Sequence, residues 1–300
     1  MTNVDTASLN AAFGRADAIA FVTGPAGVPH ARLTHAGSTA SISLHGGHVL
    51  DYTPAGQSAV LWTSRAAVFR VGRALRGGIP VCWPWFGPHP SDAALPAHGF
   101  ARTSIWRVTG SSVDDATRLQ LELDETLASP PNWPHSYRLQ LDISLADTLQ
   151  LALKTINTGT APLPISAALH SYFAVEAITQ VTVEGLDATP YLDQLTNTTR
   201  MQSGPVHIAG EVDRIYFDTV APCTIVDAVG ERQITIARGG SNSVVVWNPW
   251  IDKAQRLSDF DDDEYRSMLC IEAANAASDT IVIAPGADHT LTTTIRSASI

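Results

Sequence analysis

Alternation of apolar and polar residues is the feature of this sequence that most constrains its fold. Successive side chains of a β-strand point to opposite faces, so strict alternation indicates strands with one packed face and one wetter face, as in an antiparallel sheet. Glycine-containing turns separate the alternating runs at short intervals. The runs are residues 31–33, 41–44, 118–123, 138–143, 148–153, 233–236, 280–283 and 290–295.

Helical candidates are few, namely residues 7–13 and 252–257. Strands and helices do not alternate regularly, which disfavours a parallel βαβ sheet. No linker or internal repeat divides the 300 residues. We therefore predict an all-β protein, a large antiparallel β-sandwich of two curved sheets with a few short helices, in a single domain over residues 1–300.

The amino-acid composition indicates a globular protein. Apolar residues make up 45% of the chain and charged residues 16%, which is typical of a globular protein with a large core. We find no apolar run long enough to span a bilayer and no secretory signal pattern. The three cysteines, Cys82, Cys223 and Cys270, are widely spaced and form no CxxC pair. This pattern argues against a disulfide scaffold or a cysteine zinc site and predicts a cytoplasmic protein.

The charge is unevenly distributed. The net charge of −10 disfavours nucleic acid and anionic membranes as partners. Residues 65–107, here called the arginine-rich segment, nevertheless hold six arginines and the single acid Asp92. Two interpretations are open, a local site for a small anion or surface arginines spread over two faces. The arginines are Arg65, Arg70, Arg73, Arg76, Arg102 and Arg107.

Two loops in this segment carry candidate binding residues. Residues 76–88 are too rich in glycine and proline for a strand interior, so we predict a stiff loop. In that loop Trp85 and Phe86 are candidates to stack on a sugar ring and Arg76 to bind an anion, the alternative being a packed loop with core tryptophans. In residues 95–102, His98 beside a glycine is a candidate site residue, the alternative being a solvated loop histidine.

Three further segments carry candidate polar residues. Glu272 follows an almost wholly apolar run, and we place it at the end of a buried strand, where burial would raise its pKa toward the range of a general base. The alternative is that the strand ends in solvent. His170 is either a site residue or a hydrogen-bonded core histidine. Asp213 is a candidate to accept hydrogen bonds from sugar hydroxyls, the alternatives being that it caps a turn or pairs with an arginine. Trp247 is a candidate to line a pocket, the alternative being that it covers the helix that follows.

Several kinds of site are disfavoured. The sequence has no GxGxxG, P-loop, HExxH or GxSxG motif. His45 and His48 are spaced like metal ligands, but no further histidine or cysteine lies suitably near, so we predict no metal site. Residues 259–264 are acidic without the pattern of an EF-hand, and we interpret them as a solvated face at a helix end.

Six segments in this order resemble the hexose-6-phosphate mutarotases, also called glucose-6-phosphate 1-epimerases, of the aldose 1-epimerase superfamily. The resemblance covers most of the chain from about residue 46. The matching segments are residues 76–87, 96–102, 169–173, 213–216, 246–250 and 270–273. The resemblance implies the galactose mutarotase-like β-sandwich, with no metal and no nucleotide cofactor, and a small sugar phosphate as the partner, bound by a chain that we expect to be a monomer.

The resemblance also implies residue roles. His170 would be the general acid and Glu272 the general base. The substrate-binding residues would be Arg76, His98, Arg102, Asp213, Trp85, Phe86 and Trp247, with the arginines on the phosphate. Some relatives have glutamine where this chain has Ala97, which leaves sugar choice open. Only two lysines occur, so we expect arginine to supply the cations of the site.

The implied reaction is the interconversion of the α and β anomers of a hexose 6-phosphate, D-glucose 6-phosphate first. A base takes the anomeric hydroxyl proton while an acid protonates the ring oxygen, and the ring recloses after the carbonyl has turned. Two alternatives are an epimerase for unphosphorylated aldoses and a non-catalytic carbohydrate-binding sandwich. A metal-dependent jelly-roll enzyme is a third.

Overall fold

The structure is a computed structural model that describes residues 5–128, 130 and 133–300. Within these residues there are two α-helices, α1 (Thr6–Phe13) and α2 (Trp250–Ala254), and several short 3₁₀ turns. The strands are β1 (Ile19–Thr23), β2 (Pro29–His35), β3 (Ser38–Ser43), β4 (His48–Thr53), β5 (Val81–Cys82), β6 (Arg107–Val113), β7 (Thr117–Asp124), β8 (Tyr137–Leu145), β9 (Leu149–Asn157), β10 (Leu163–Ile165), β11 (Ala167–Leu169), β12 (Tyr172–Ala174), β13 (Val181–Glu184), β14 (Pro190–Asp193), β15 (Thr198–Met201), β16 (Val206–His207), β17 (Val212–Tyr216), β18 (Cys223–Asp227), β19 (Arg232–Gly239), β20 (Ser243–Asn248), β21 (Met268–Asn275), β22 (Ile281–Ile283) and β23 (Asp288–Ser299).

The period-two pattern correctly predicts strands, since every alternating run lies in or overlaps one. Strand β8 shows why. Its Leu139, Leu141 and Ile143 are buried, whereas Arg138 before them and Asp142 between the last two are exposed. Burial of alternate apolar side chains supplies the free energy that holds such a strand against the sheet behind it.

The helices are predicted less evenly. Helix α1 matches its predicted range within one residue, and the side chain of Asp5 accepts hydrogen bonds from the backbone N–H groups of the first turn. Helix α2 is shorter and starts earlier than the predicted range 252–257. The side chain of Asn248 accepts the N–H of Trp250, which fixes the earlier start.

Two large antiparallel sheets form the sandwich, as predicted, and two smaller sheets complete it. The nine-stranded sheet has the order β16-β13-β18-β19-β23-β9-β8-β7-β6. The eight-stranded sheet has the order β15-β14-β17-β20-β21-β11-β5, with β12 pairing to β21. Strands β1 to β4 form a third sheet that packs on β7 and β8, and β10 pairs with β22.

The two faces of the eight-stranded sheet have different neighbours. One face, which includes Val244, Val246 and Ile271, packs into the main core shared with the nine-stranded sheet. Directly opposed residues of neighbouring strands lie on the same face of a sheet. The register opposes Asp213 to Trp247, Trp247 to Cys270 and Cys270 to Tyr172. This row lies on the other face and leads to the candidate site.

Among the described residues, no helix combines the length and apolar character needed to cross a membrane.

Candidate active site

A cavity of about 360 Å³ opens on the outer face of the eight-stranded sheet. Its size is within the range of about 300–1,000 Å³ typical of small-molecule sites. It brings together eight of the nine predicted site residues. The lining residues are Arg76, Phe86, Gly87, Pro88, Ala97, His98, Arg102, His170, Gln194, Asp213, Val245, Trp247, Lys253, Leu257 and Glu272.

The predicted acid and base meet in this cavity. His170 directly follows β11 and Glu272 lies on β21, the strand that pairs with β11. The His170 Nε2 and Glu272 Oε1 atoms are 3.3 Å apart. His170 is 8% exposed and Glu272 1%. The predicted burial of Glu272 is confirmed, but its placement at a strand end is wrong, because it pairs with Val245 in the middle of β21.

Burial shifts both groups toward their neutral forms. Desolvation raises the pKa of Glu272 well above its usual value, and the nearby Asp213 raises it further. Desolvation also lowers the pKa of His170, and the positive charges of Arg102 and Arg76 add to this. A neutral imidazole beside a protonated carboxyl group is therefore the favoured resting pair. In the described residues, His170 Nδ1 and Glu272 Oε2 are buried without hydrogen-bond partners.

A strained loop positions His98. His98 has φ +65° and Gly99 φ +70°, both in the left-handed region that disfavours side chains. A Cβ atom on Gly99 would lie 1.9 Å from the carbonyl oxygen of Trp83, so only glycine fits there. The loop then hydrogen-bonds back on itself, since the His98 N–H donates to the Gly87 carbonyl (2.8 Å).

The protonation state of His98 follows from its contacts. Burial, with Arg102 and Arg76 nearby, lowers the pKa of His98 to about 3, so the ring is neutral at physiological pH. The Gly87 N–H donates to His98 Nδ1 (3.2 Å), so Nδ1 is the acceptor nitrogen. Nε2 then carries the proton and is available as a donor.

The two predicted arginines line the cavity in different states. Arg76 is engaged, because Nε and Nη2 donate to Asp259 Oδ1 (3.2 and 3.1 Å) and Nη1 donates to the Tyr172 hydroxyl (3.1 Å). Arg102 donates through Nη2 to the Ala97 carbonyl (2.7 Å). No carboxylate partner of Arg102 occurs among the described residues, and its Nε is buried without an acceptor there. Arg102 therefore retains N–H donors that are free to bind an anion.

Two of the three predicted aromatic residues line the cavity. Phe86 and Trp247 do, and the Trp247 ring meets His170 edge-on at a centroid distance of 6.3 Å. Trp85 does not, because its ring is buried in the core behind the loop and its Nε1–H donates to the Pro96 carbonyl (3.0 Å). The alternative of a core tryptophan is the correct one for Trp85.

Asp213 lines the cavity beside two residues that the sequence analysis missed. Lys253 donates to Asp213 (3.3 Å) and pairs with Glu211 (3.2 Å), and its Nζ lies 5.7 Å from the Trp247 ring centroid. Gln194 also donates to the Asp213 carboxylate. Lys253 had a weak signal, as one of two lysines in the chain and the one within a predicted helix. Gln194 had none, since its position depends on the pairing of β14 with β17.

Two arginines of the arginine-rich segment form ion pairs away from the cavity. Arg65 pairs with Asp261 and Asp263, and Arg107 pairs with Glu122 and Asp124. Of the six arginines, Arg76 and Arg102 line the cavity. The interpretation of dispersed arginines therefore holds for most of the segment.

The acidic residues 259–264 are not simply a solvated face, so that interpretation is wrong. Glu264 is 3% exposed and accepts hydrogen bonds from the Ser64 hydroxyl (2.7 Å) and the Arg65 N–H (2.9 Å). Asp259 is mostly buried on Arg76. The run anchors the arginine-bearing loop to the rest of the site, because a buried carboxylate is tolerated when it is paired.

The histidines spaced like metal ligands have other contacts. A ring nitrogen of His48 lies 2.7 Å from the Gly77 carbonyl oxygen, and one of His45 lies 3.2 Å from the Thr103 carbonyl oxygen. Within the described part of the chain, the potential metal ligands that lie close together are instead His170, Cys270 and Glu272. Their potential ligand atoms all lie within 4.8 Å of one another.

Comparison with known proteins agrees with this architecture. The aldose 1-epimerase family model matches residues 29–296. The chain therefore belongs to the aldose 1-epimerase family, and it is an isomerase of the mutarotase type with the galactose mutarotase-like fold.

The names of similar proteins indicate a narrower class of activity within this family. Curated proteins that carry the provisional name glucose-6-phosphate 1-epimerase include one from Cenchrus ciliaris, 34% identical over 262 residues (82% of this chain, 78% of the relative). Another, from Salmonella typhimurium, is 34% identical over 242 residues (80% of each chain). The crystal structure of the provisionally named mutarotase YeaD from Salmonella typhimurium superimposes with a TM-score of 0.88 at 30% identity, covering 94% of each chain.

Proposed function

We propose that this enzyme interconverts the α and β anomers of a hexose 6-phosphate, D-glucose 6-phosphate first, by acid and base catalysed ring opening and reclosure. The observation that carries the proposal is the His170–Glu272 pair, 3.3 Å apart, in a cavity that Arg102 also lines. The names of the curated relatives and the resemblance of the six motif segments support the same substrate class.

The pair exchanges protons with the sugar as a unit. In the ion-pair form, the Glu272 carboxylate takes the anomeric hydroxyl proton while protonated His170 donates to the ring oxygen. The open-chain aldehyde is then held by a protonated Glu272 and a neutral His170, the protonation state that burial favours. After rotation of the carbonyl, both protons return and the ring closes with either configuration at C1. Desolvation therefore stabilises the protonation state of the open-chain stage, which is also the protonation state of the resting pair.

The remaining lining residues have proposed binding roles. Arg102, with unused donors, binds the phosphate, and Arg76, held by Asp259, supports it. His98 offers Nε2–H to the sugar, and Asp213 accepts hydrogen bonds from hydroxyl groups. Phe86 and Trp247 provide apolar ring faces. A phosphate anchor at the far end of the sugar leaves C1 free to turn, which anomer exchange requires.

One observation favours a second candidate, an epimerase of unphosphorylated aldoses. Arg76 is already neutralised by Asp259, and Lys253 by Glu211 and Asp213. Arg102 alone would then bear most of the phosphate charge. The two candidates share the acid and base and differ in the anchor.

The deciding experiment is exchange NMR of anomer interconversion with glucose 6-phosphate, glucose and galactose in parallel, after subtraction of the spontaneous rate. We expect acceleration for the phosphorylated sugar far above that for the free sugars. Acceleration of the free sugars instead would retain the acid–base pair and reject the phosphate anchor. No acceleration for any of the three would reject the proposed function in favour of a sugar-binding protein.

We further propose that the enzyme acts as a monomer in the cytoplasm. Cys82, Cys223 and Cys270 are buried free thiols, which fits a reducing compartment. The catalytic pair, the arginines and the aromatic residues of the cavity all belong to one chain. Light scattering of the purified protein tests this, and a stable dimer would contradict it.

A further inference from the structure

A buried thiol lies beside the proposed acid and base, and the reaction does not use it. Cys270 and Glu272 are two residues apart on β21, so both side chains lie on the cavity face of the sheet. Together with His170 they offer a sulfur, an oxygen and a nitrogen atom, all within 4.8 Å of one another. All three residues are buried.

Chemically, this trio is a metal-ligand set. Thiolate, imidazole and carboxylate are the ligands that Zn²⁺ takes in proteins, and three protein ligands with one open position is the arrangement of its reactive sites. A thiolate also selects against Mg²⁺ and Ca²⁺, which prefer oxygen ligands. In the described residues, His170 Nδ1 and Glu272 Oε2 have no hydrogen-bond partner, so neither atom would give up a hydrogen bond on binding a metal. Since His170 and Glu272 line the cavity, the open position would face the sugar.

We propose that His170, Cys270 and Glu272 form a binding site for a thiophilic divalent cation, Zn²⁺ first, and that occupation of this site inhibits the enzyme. A bound cation would occupy the nitrogen and oxygen atoms that must take up and release the protons of ring opening. The inhibitory half rests on the proposed function, whereas the binding half does not.

Binding requires an exchange of protons for the metal. The S–H bond of Cys270 breaks, its proton leaves to solvent, and a sulfur–zinc bond takes its place, with no oxidation or reduction. A proton on Glu272 leaves in the same way when its oxygen binds. The protons and the metal therefore compete for the same sulfur and oxygen atoms. Apparent affinity should therefore fall as the pH falls.

The binding half is tested with Co²⁺ as a spectroscopic substitute for Zn²⁺, added to metal-free, full-length protein. We expect the near-ultraviolet charge-transfer band of a cobalt–thiolate bond, and its displacement by Zn²⁺. The Cys270→Ser variant should lose the band. The matched control Cys223→Ser removes another buried thiol, on the nine-stranded sheet, and should keep it.

A complementary variant covers the case in which Cys270→Ser fails to fold. In the Cys82→Ser/Cys223→Ser double variant, Cys270 is the last thiol, and the band must persist. Absence of the band in the wild-type protein would overturn the site. Persistence of the band in folded Cys270→Ser would place the metal on another cysteine and also overturn it.

The inhibitory half is tested by the anomer exchange assay with added Zn²⁺. The concentration for half inhibition should rise about 10–100-fold in Cys270→Ser, at least the cost of losing a group that merely supports a metal ligand. Equal inhibition of wild type and Cys270→Ser would overturn this half. A wild-type protein that binds Co²⁺ through a thiolate but exchanges no sugar anomers would refute the proposed function and leave the metal site standing.

Discussion

The carboxyl group of Glu272 bears the proposed proton transfer at the anomeric hydroxyl. Its Glu272→Gln variant keeps the size of the side chain and removes the transferable proton, so turnover should fall by about 10²–10⁴-fold. Binding of glucose 6-phosphate, followed by calorimetry, should largely persist. Glu184→Gln, an exposed change on β13, is the control and should leave turnover unchanged. Wild-type turnover in Glu272→Gln would show that the base is another group.

The two cavity arginines should differ in effect. Arg102→Ala removes the guanidinium that has donors to spare, and KM for glucose 6-phosphate should rise by about tenfold or more, equivalent to at least about 1.4 kcal/mol. Arg76→Ala should also raise KM, and in addition lower thermal stability, because Asp259 loses its partner. The exposed Arg70→Ala is the control for general charge. Steady-state kinetics with the phosphorylated and the free sugar decide the matter, since equal losses on both would exclude a phosphate contact.

The pH profile should reflect a pair that holds one proton. As the pH falls, protonation of His170 gives the pair a second proton, and activity is lost. Because the pKa of His170 is lowered, this loss occurs well below pH 6.5. As the pH rises, Glu272 releases the one proton of the pair, and activity is lost again. Because the pKa of Glu272 is raised, this second loss occurs well above pH 4.5. We expect a broad bell-shaped dependence of kcat/KM on pH, after correction for the substrate phosphate, whose pKa is about 6. A narrow maximum confined between pH 4.5 and 6.5 would indicate two ordinary, solvated groups.

Among these side chains, burial and not motif made Glu272 predictable. An acidic residue in an almost wholly apolar strand is expected to be buried, and a buried acid is costly unless it is paired or functional. Trp85 could not be separated from Phe86 on the same grounds, because both lie in one Gly- and Pro-rich loop. The direction of each ring depends on backbone torsions that the sequence does not specify.

At the scale of elements, the loop from Trp83 to Gly99 holds His98 by close backbone contact. Gly99→Ala would force a Cβ atom against the Trp83 carbonyl oxygen at 1.9 Å, in addition to the cost of its positive φ. Unfolding free energy should fall by about 1–3 kcal/mol or more, with a parallel loss of sugar binding. Gly72→Ala is the matched control, since Gly72 also has a positive φ but no neighbouring atom within 4 Å. Denaturant unfolding of both variants tests this, and equal losses would mean that the close contact is not important.

The sequence predicts which residues form strands, but not which strands pair with each other. Alternation requires only adjacent residues, so β7, β8 and β9 could be placed from the sequence. The approach of His170 to Glu272 requires β11 to pair with β21, across about 100 residues of chain, and pairing over such separations leaves no local pattern. The prediction of a solvated face at residues 259–264 was wrong for the same reason, because the residues that these acids contact, Ser64 and Arg76, lie far away in the sequence.

At the scale of the whole molecule, one continuous core connects the sheets. The main cluster of buried apolar residues runs from Leu9 in α1 to Ile295 in β23 and includes both faces that meet in the sandwich. Leu141 on β8 is central, since it also packs near the Gly46–Gly47 turn of the four-stranded sheet. We therefore propose that residues 1–300 behave as a single domain, in which no sheet retains its core when another is lost.

A single domain should unfold in one cooperative transition. Far-ultraviolet circular dichroism reports on the sheets, and tryptophan fluorescence reports on the packing around the seven tryptophans, of which Trp83 and Trp106 are fully buried. The two signals should give coincident melting curves. Leu141→Ala should shift both curves together, with a loss of about 2–5 kcal/mol, because a cavity there weakens the core that all sheets share. The exposed Leu195→Ala is the control and should leave both curves in place. If Leu141→Ala instead separated the two curves, the four-stranded sheet would be an independent unit, and the single-domain proposal would fail while the proposed active site, built on the eight-stranded sheet, would remain.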